Sequence, residues 1–574
     1  MKIPYGESNF EKIRTENYVY VDKTRYIEML ENEGKSHVFL TRPRKFGKSL
    51  FLSTLFHYYD FLSADKFDAL FGDLYIGKNP TPKRNSYFVV RFSFARLDTT
   101  SEENFIVSFN RKIETCVKEF FTHYEDIIGT DYYNRFEIQT LEESGKIGVE
   151  ALDKHVFNIA KRHKRKLFVI IDEYDHFAND LIALGTNLSH EQYKKFIWAN
   201  GVVRDFYETL KDGTQDTVEK IFITGITPMM LDDVTSGFNI SRNLSLKEKY
   251  CEILGFTQEE VEFVRQQAGI DKSLIKVDME YLYNGYKFHA NAKNKIYNSA
   301  LINYFFQELL DEGEKIENLV DGNLKTDYGR VKNLLRKPEN IEKLEKIIEF
   351  NQVQTKVIDR FSIDKIHETR NFLSLLFYMG LVTIENDNGI SMLKIPNYTV
   401  KTMYWDYMEK IILVRNPEMS YNPRIIREGL TSLAYDGDYE PFFDIFQRNF
   451  LSQISNQDLK SFTEKHVKFM LLNILFQSNY YLSISETENS QGYTDIYLQR
   501  RDYLYPRIKT DWVWELKYVS EADARKKALI ETKKKAAREQ LHRYKTSNLF
   551  KDRTDVRYLA VVFIGKKRCW INEE

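Results

Sequence analysis

Arg42-Pro43-Arg44-Lys45-Phe46-Gly47-Lys48-Ser49 stands between an apolar run, Val38 to Leu40, and an apolar-periodic segment, Leu50 to Tyr59. The order reads as strand, phosphate loop and helix. Backbone N–H groups in such a loop, with those of Gly47 and the helix N-terminus, point at an anion. Lys48 then reaches the outer phosphates, and Ser49 offers its hydroxyl to Mg²⁺. Arg42 occupies the place where the usual pattern has its first glycine, and it is still expected, with Gly47, among the nucleotide-binding residues. A Gly-Lys-Ser triplet alone is often only a helix start, so the reading needs a second element.

That element is Leu167-Phe168-Val169-Ile170-Ile171-Asp172-Glu173, an apolar, largely β-branched run ending in two carboxylates. Continuous apolar strands belong to parallel sheets covered on both faces. Ligands of such sheets bind at the carboxyl ends of the strands. Asp172 is therefore expected beside the Ser49 hydroxyl as a Mg²⁺ ligand, with Glu173 placed to polarise a water. The plainer alternative is a core strand ending in solvated acids.

At 574 residues the chain exceeds one core, and the length suggests about three or four domains. We draw the boundaries as 1–250, 251–430 and 431–574. Lys+Arg 83 against Asp+Glu 84 leaves a formal net charge of -1, so global charge names no partner. The cysteines, Cys116, Cys251 and Cys569, show neither metal-ligand nor disulfide spacing, as expected in a reducing cytosol. The N-terminus lacks a signal-peptide apolar region, and no apolar run approaches the roughly 18 residues that span a bilayer. The expectation is a cytoplasmic chain without a membrane partner.

Before the loop, Tyr20 and Asp22 are placed to cover a nucleotide base, although packing on the sheet edge is the simpler reading. After it, a strand at Tyr87 to Phe92 and helices near Glu103 to Tyr124 and Val149 to Arg162 continue an alternating α/β pattern. Ile221 to Thr224 is a further buried strand, and its Thr224 is expected on the same edge as Asp172. There it bonds a γ-phosphate or attacking water, or it merely shapes a turn. Arg242 reads as a phosphate-sensing arginine or a surface cation.

Here the sequence resembles bacterial proteins that pair a divergent AAA-ATPase-like N-terminal domain with a C-terminal nuclease-like domain. The residues that carry the resemblance are Tyr20-Val21-Asp22-Lys23-Thr24, the Arg42 to Ser49 loop, Ile171-Asp172-Glu173-Tyr174-Asp175, Thr224-Gly225 and Tyr283-Asn284-Gly285-Tyr286. In that family an arginine at the position of Arg42 is ordinary. The resemblance implies ATP as the nucleotide, with Lys48 and Ser49 on phosphates and magnesium, and Asp172 and Glu173 in the metal and hydrolysis roles.

Residues 250 to 430 are mostly helical by periodicity. Asn371 to Met379 reads as a helix, Leu381 to Glu385 and Ile390 to Ile395 as strands, and Asn386-Asp387-Asn388-Gly389 as the turn between them. A helix feeding a two-stranded wing resembles a winged-helix module. Little basic charge surrounds it, which favours packing over DNA binding.

Near the C-terminus a helical segment, Phe462 to Phe476, carries Glu464, and a linker with Glu486 and Glu488 follows. Gly492 to Leu498 and Asp511 to Tyr518 read as strands separated by a loop. Alternation puts Glu515 and Lys517 on one face and Trp514 and Leu516 on the other. Strand pairing then brings Asp495 beside them. Two carboxylates and an ammonium suit magnesium-dependent phosphodiester cleavage, in which Asp495 and Glu515 bind the metal and Lys517 orients or deprotonates a water. A structural salt-bridge cluster is the alternative.

This pattern resembles the PD-(D/E)xK nuclease superfamily. Gln540 and Tyr544, four apart on one helical face, match the QxxxY element of its RecB-like members, and the resemblance makes Glu464 an additional metal ligand or a support for one. Relatives often carry an arginine in a Gly-Arg-x-Asp segment, where this chain has Tyr493. The flanking Arg525-Lys526-Lys527, Lys533-Lys534-Lys535, Arg538, Arg543 and Lys566-Lys567-Arg568 suit capture of a phosphodiester backbone, or form a solvated helix face. Tyr558 to Ile564 is expected to complete the sheet.

The sequence thus reads as an α/β chain: a P-loop parallel-sheet domain, a helical and winged-helix middle, and a restriction-endonuclease-like end. The functional expectation is an ATPase coupled to a Mg²⁺-dependent nuclease, with Mn²⁺ as a substitute metal and DNA ahead of RNA as partner. Association into a homo-oligomer is left open. The reading from another class is an ATP-driven switch whose C-terminal domain binds nucleic acid or protein without cutting.

Overall fold

The structure is a computed structural model that describes residues 1–34, 36–184, 201–229, 240–322, 338–350, 352–360, 368–387, 390–415, 422–454, 462–476 and 478–574. It divides into two compact units, one of Met1–Asp311 with Val320–Val400, the other of Glu312–Leu319 with Lys401–Glu574.

In the first unit, strands β1 (His37–Thr41), β2 (Phe88–Ser93), β3 (Leu167–Asp172), β4 (Val218–Gly225) and β5 (Arg242–Asn243) form a sheet ordered β2-β3-β4-β1-β5. Every described pairing in it is parallel. The β1 and β3 runs are buried almost end to end, which is the condition that produces unbroken apolar strands. Helix α1 (Lys48–Tyr59) follows the phosphate loop directly, and helix α2 (Glu102–His123) packs on β2. Ser101 caps α2 by accepting from Asn104 N, and Phe105, Phe109, Ile113 and Val117 supply its buried stripe. The helix expected over Val149 to Arg162 is interrupted by a π-helical turn at Leu152–Phe157.

The expected wing is a three-stranded antiparallel sheet, because β6 (Gln352–Gln354) pairs with β8 (Ile390–Lys394) on the side opposite β7 (Thr383–Asp387). Helix α3 (Thr369–Tyr378) precedes it. Asn388 and Gly389 of the expected turn lie outside the described residues.

The second unit holds a mixed sheet ordered β13-β12-β11-β10-β9, with helices α4 (Glu464–Phe476) and α5 (Lys527–Lys545) packed against it. Its strands are β9 (Tyr481–Asn489), β10 (Gly492–Arg500), β11 (Asp511–Val519), β12 (Val556–Ile564) and β13 (Arg568–Glu573). β11 and β12 are parallel and the other neighbours antiparallel. Two expectations are corrected. The stretch read as a linker with Glu486 and Glu488 is β9, an edge strand hydrogen-bonded along β10. The sheet does not end at Ile564, since β13 adds an outer strand to β12. Among the described residues no helix is long and apolar enough to cross a membrane.

Candidate functional site

The phosphate loop leaves β1 at the carboxyl edge of the parallel sheet and turns through two left-handed residues, Lys45 (φ 63°) and Gly47 (φ 92°). A Cβ at Gly47 would meet only ordinary contact, 3.5 Å from Ser299 Oγ, so its backbone angle and not space calls for glycine. Beneath the loop lies a cavity of about 950 Å³ whose wall includes Gly47, Lys48, Ser49, Asp172, Glu173 and Asp175.

Lys48 Nζ donates to the carbonyl oxygens of Arg42 at 3.0 Å and Pro43 at 2.9 Å. Burial pushes its pKa down to about 8, against the pull of Asp172, Asp175 and Glu173. Ser49 Oγ donates to Asp172 Oδ2 at 3.0 Å. The two residues expected to share a metal are thus in contact. Burial pushes the Asp172 carboxyl above its ordinary range, with Lys48 opposing and Glu173 adding to the shift. Glu173 holds a left-handed φ of 50° while its N–H donates to Asp172 Oδ1 at 2.9 Å.

Behind them the buried Asp175 joins the ends of β3 and β4. Its oxygens accept from Ile226 N at 3.1 Å, Thr227 N at 2.7 Å and Thr227 Oγ1 at 2.7 Å. Gly225 allows this approach, because a Cβ there would lie 2.2 Å from Asp175 Oδ1 and 2.6 Å from the Tyr174 ring.

Side-chain direction bears on four readings. The Arg42 side chain does not face the cavity: it is fully buried, donates to the carbonyls of Thr41, Ser245 and Tyr250, and lies over the Phe288 ring at 4.0 Å. A buried guanidinium needs several acceptors, and these backbone carbonyls supply them. Thr224 is also withdrawn from phosphate contact, since its hydroxyl donates to Leu40 O of β1 at 2.7 Å. Asp22 accepts from Thr24 at one oxygen and from Tyr75 N at the other, and it does not line the cavity. Arg242 pairs with Val38, at the start of β1 and away from the loop. Tyr20 lines the cavity, with its hydroxyl 3.2 Å from Thr54 Oγ1.

In the second unit the β10–β11 ladder runs from Leu498 to Ile496. One residue further, Asp495 Oδ2 accepts the Leu516 N–H at 2.9 Å, which fixes this carboxylate beside Glu515. Glu515 is 1% exposed. Burial and then Asp495 push its pKa up to about 8, against Lys517 and the Tyr544 hydroxyl. Lys517 Nζ lies 2.5 Å from Glu515 Oε1 and 3.6 Å from Glu464 Oε1. Burial disfavours this ammonium, but Glu515, Asp495 and Glu464 outweigh burial and raise its pKa.

On α5, Gln540 Nε2 donates to the Tyr544 hydroxyl at 2.6 Å. That hydroxyl sits 3.0 Å from Glu515 Oε2 and 2.5 Å from Tyr493 O. Glu464 Oε2 accepts from Tyr518 N at 3.1 Å. The fold therefore gathers Glu464, Asp495, Glu515, Lys517, Gln540 and Tyr544 in one cluster. Sequence reasoning missed Lys468, buried and 3.4 Å from Asp495 Oδ1. Its position four residues after Glu464, on the same helix face, was the available signal.

Among the described residues no group of three His, Cys, Asp or Glu side chains stands at metal-binding spacing. The carboxylate pair Asp495 and Glu515, with Glu464 linked through Lys517, nonetheless has the chemistry of a hard-cation site. All donors are oxygen, and burial and the neighbouring Asp495 raise the Glu515 pKa, a crowding of acids that a bound cation would relieve.

Comparison with known proteins bears on both units. Residues 4–235 match the model of a family described as a predicted AAA-ATPase, and residues 462–574 match that of the PD-(D/E)XK nuclease superfamily. The two matches bear out the order expected from the sequence, an AAA-ATPase-like region followed by a PD-(D/E)XK-like region. An uncharacterized protein in the vnfD 5′ region of Azotobacter chroococcum is 26% identical over 313 residues, covering 54% of this chain and 52% of that protein. The match thus spans about half the length of this curated relative. A Walker-type ATPase of Pyrococcus abyssi aligns with 67% of this chain and 94% of its own, at a TM-score of 0.36 and 13% identity, which is too distant to carry an argument.

Proposed function

We propose that this chain binds and hydrolyses ATP in the cavity under the phosphate loop, and that its C-terminal domain cleaves nucleic-acid phosphodiesters under control of the nucleotide state. At the first site Lys48 exchanges its two carbonyl partners for the outer phosphates. Ser49 and Asp172 present oxygen to Mg²⁺, and Glu173 accepts a hydrogen bond from the attacking water. At the second, Asp495 and Glu515 hold the cation, with Mn²⁺ able to replace Mg²⁺, and Glu464 acts beside them through Lys517. A bound divalent cation supplies Lewis acidity and an acidified water there. Lys517 would orient the attacking water, Gln540 and Tyr544 fix Glu515, and the basic residues of α5 capture the polymer, DNA ahead of RNA.

The observation that most supports this reading is the hydrogen-bonded run Lys517, Glu515, Tyr544, Gln540 beside Asp495. A second reading, an ATP-driven switch that binds nucleic acid or protein without cutting, draws support from Lys468 and Lys517. These ammoniums already stand against both carboxylates.

The two separate on incubating the protein with labelled single- and double-stranded DNA and RNA, with Mg²⁺, Mn²⁺ or EDTA, with and without ATP, alongside Glu515→Ala. Metal-dependent cleavage that Glu515→Ala abolishes is expected. ATP hydrolysis without cleavage under any condition would leave the switch.

A further inference from the structure

The basic side chains around the nucleotide cavity are mostly committed. Lys23 is neutralised by Glu260 at 2.6 Å, Lys45 by Asp321 at 2.8 Å, and Lys48 is held by two carbonyls. Arg96 and Lys112, which line the same cavity, have no hydrogen bond or ion pair among the described residues. Their placement follows from the sheet. Ser93 at the end of β2 stands in register with Asp172, and Phe94 N donates to Asp172 O at 3.3 Å, so the next residues emerge beside the Ser49–Asp172 pair. Arg96 there holds a left-handed φ of 59°. A residue with a Cβ pays for that conformation on the order of 1 kcal/mol, and such strain gathers at functional sites. Of the non-glycine residues with positive φ, Lys45, Arg96 and Glu173 all line this cavity. Lys112 comes from α2, across the edge. A smaller cavity of about 420 Å³ opens beside the first, and both are lined by Ser49, Asp172 and Lys112. Ser49 and Asp172, in contact with each other at 3.0 Å, stand on that shared wall.

We propose that Arg96 and Lys112 contact the γ-phosphate, so that this chain supplies from its own β2 loop and α2 the positive charge that distinguishes a nucleoside triphosphate from a diphosphate. The proposal rests on the nucleotide reading of the cavity. ATP carries one more phosphate than ADP, and two cations beside Asp172 and Glu173 offset the charge that phosphate brings toward these acids.

The test measures ATP and ADP affinity of the full chain by calorimetry with Mg²⁺, for wild type, Arg96→Ala, Lys112→Ala, Arg96→Lys and Lys48→Ala. Each alanine variant is expected to weaken ATP about tenfold or more while ADP stays within about twofold, and Arg96→Lys to recover part of the loss. Equal losses for ATP and ADP, or none for either, would overturn the assignment. Lys48→Ala separates the two levels. If it loses both nucleotides while Arg96→Ala and Lys112→Ala lose nothing, only the γ-phosphate role fails; if it too loses nothing, the nucleotide reading fails with it.

Discussion

Arg42 and Ser245 are joined at 2.9 Å, the guanidinium Nη1 donating to the Ser245 carbonyl oxygen, and Nη2 reaches Tyr250 O at 2.6 Å. Arg42 thus straps the end of β1 to the chain that follows β5. Burial pushes its pKa down to about 10, which leaves it charged at neutral pH. Arg42→Ala would remove the donors of three buried carbonyls and is expected to cost about 3 kcal/mol or more in urea unfolding. Nucleotide affinity of the folded variant should stay within a few-fold. Normal stability with lost ATP binding would return Arg42 to the phosphates.

Gly225→Ala tests the joint between β3 and β4. The added methyl collides with Asp175 Oδ1 and the Tyr174 ring, and Asp175 cannot retreat without releasing Ile226 N and Thr227 N. A loss of about 2–3 kcal/mol is expected from overpacking and the broken bonds. A loss under about 0.5 kcal/mol would mean the joint is loose.

Lys48→Ala is expected to weaken ATP binding about 100-fold or more, by calorimetry, with little change in stability. Burial already disfavours this ammonium, which lowers its pKa to about 8, and its removal returns that cost against the two loop carbonyl bonds it loses; among the described residues it forms no ion pair. Unchanged ATP affinity would exclude the loop as the nucleotide site.

How far the sequence disclosed this molecule follows from where the information lies. β1, β3 and the Ile221 to Ile223 stretch of β4 are apolar runs because both faces of the sheet are covered, and that pattern is local. β9 hides because the buried Ser483 and Ser485 break its apolar alternation. β5 is two polar residues long, too short for any period. Site residues divide the same way. Lys48, Ser49 and Asp172 follow from chain position at the sheet edge. The directions of Arg42 and Thr224 depend on Tyr250, Ser245 and Leu40, partners that no spacing rule names. Asp495, Glu515 and Lys517 were legible from strand alternation and pairing, whereas Lys468 shares a helix face with Glu464 by its spacing, and only the packing of α4 on the sheet brings it to Asp495.

The raised Glu515 pKa predicts two opposite pH trends. Without metal, the folded state holds this proton between the unfolded value near 4.5 and about 8. Its contribution to stability is therefore full below the lower value and is lost as pH rises through the upper one. A divalent cation needs the carboxylate instead, so Mg²⁺ or Mn²⁺ affinity should rise up to about tenfold per pH unit from pH 6 to 8. Calorimetry in buffers of different ionisation enthalpy would count the released proton. A flat affinity across this range would remove Glu515 from the metal site.

Tyr544→Phe carries the same logic one step outward. The Tyr544 hydroxyl, 3.0 Å from Glu515 Oε2, favours the ionised carboxyl and lowers its pKa. Removing only that oxygen should raise the Glu515 pKa further, so that metal affinity at pH 7 falls about threefold to tenfold and recovers toward pH 9. That hydroxyl's single proton is shared with the Tyr493 carbonyl at 2.5 Å, so part of the loss falls there rather than on Glu515. Gln540→Ala, which acts on Glu515 only through Tyr544, should shift the pH profile in the same direction by less. A purely structural Tyr544 would lower stability while leaving the midpoint of the metal-affinity profile unmoved. A shifted midpoint, smaller for Gln540→Ala, would identify both as positioning residues for Glu515.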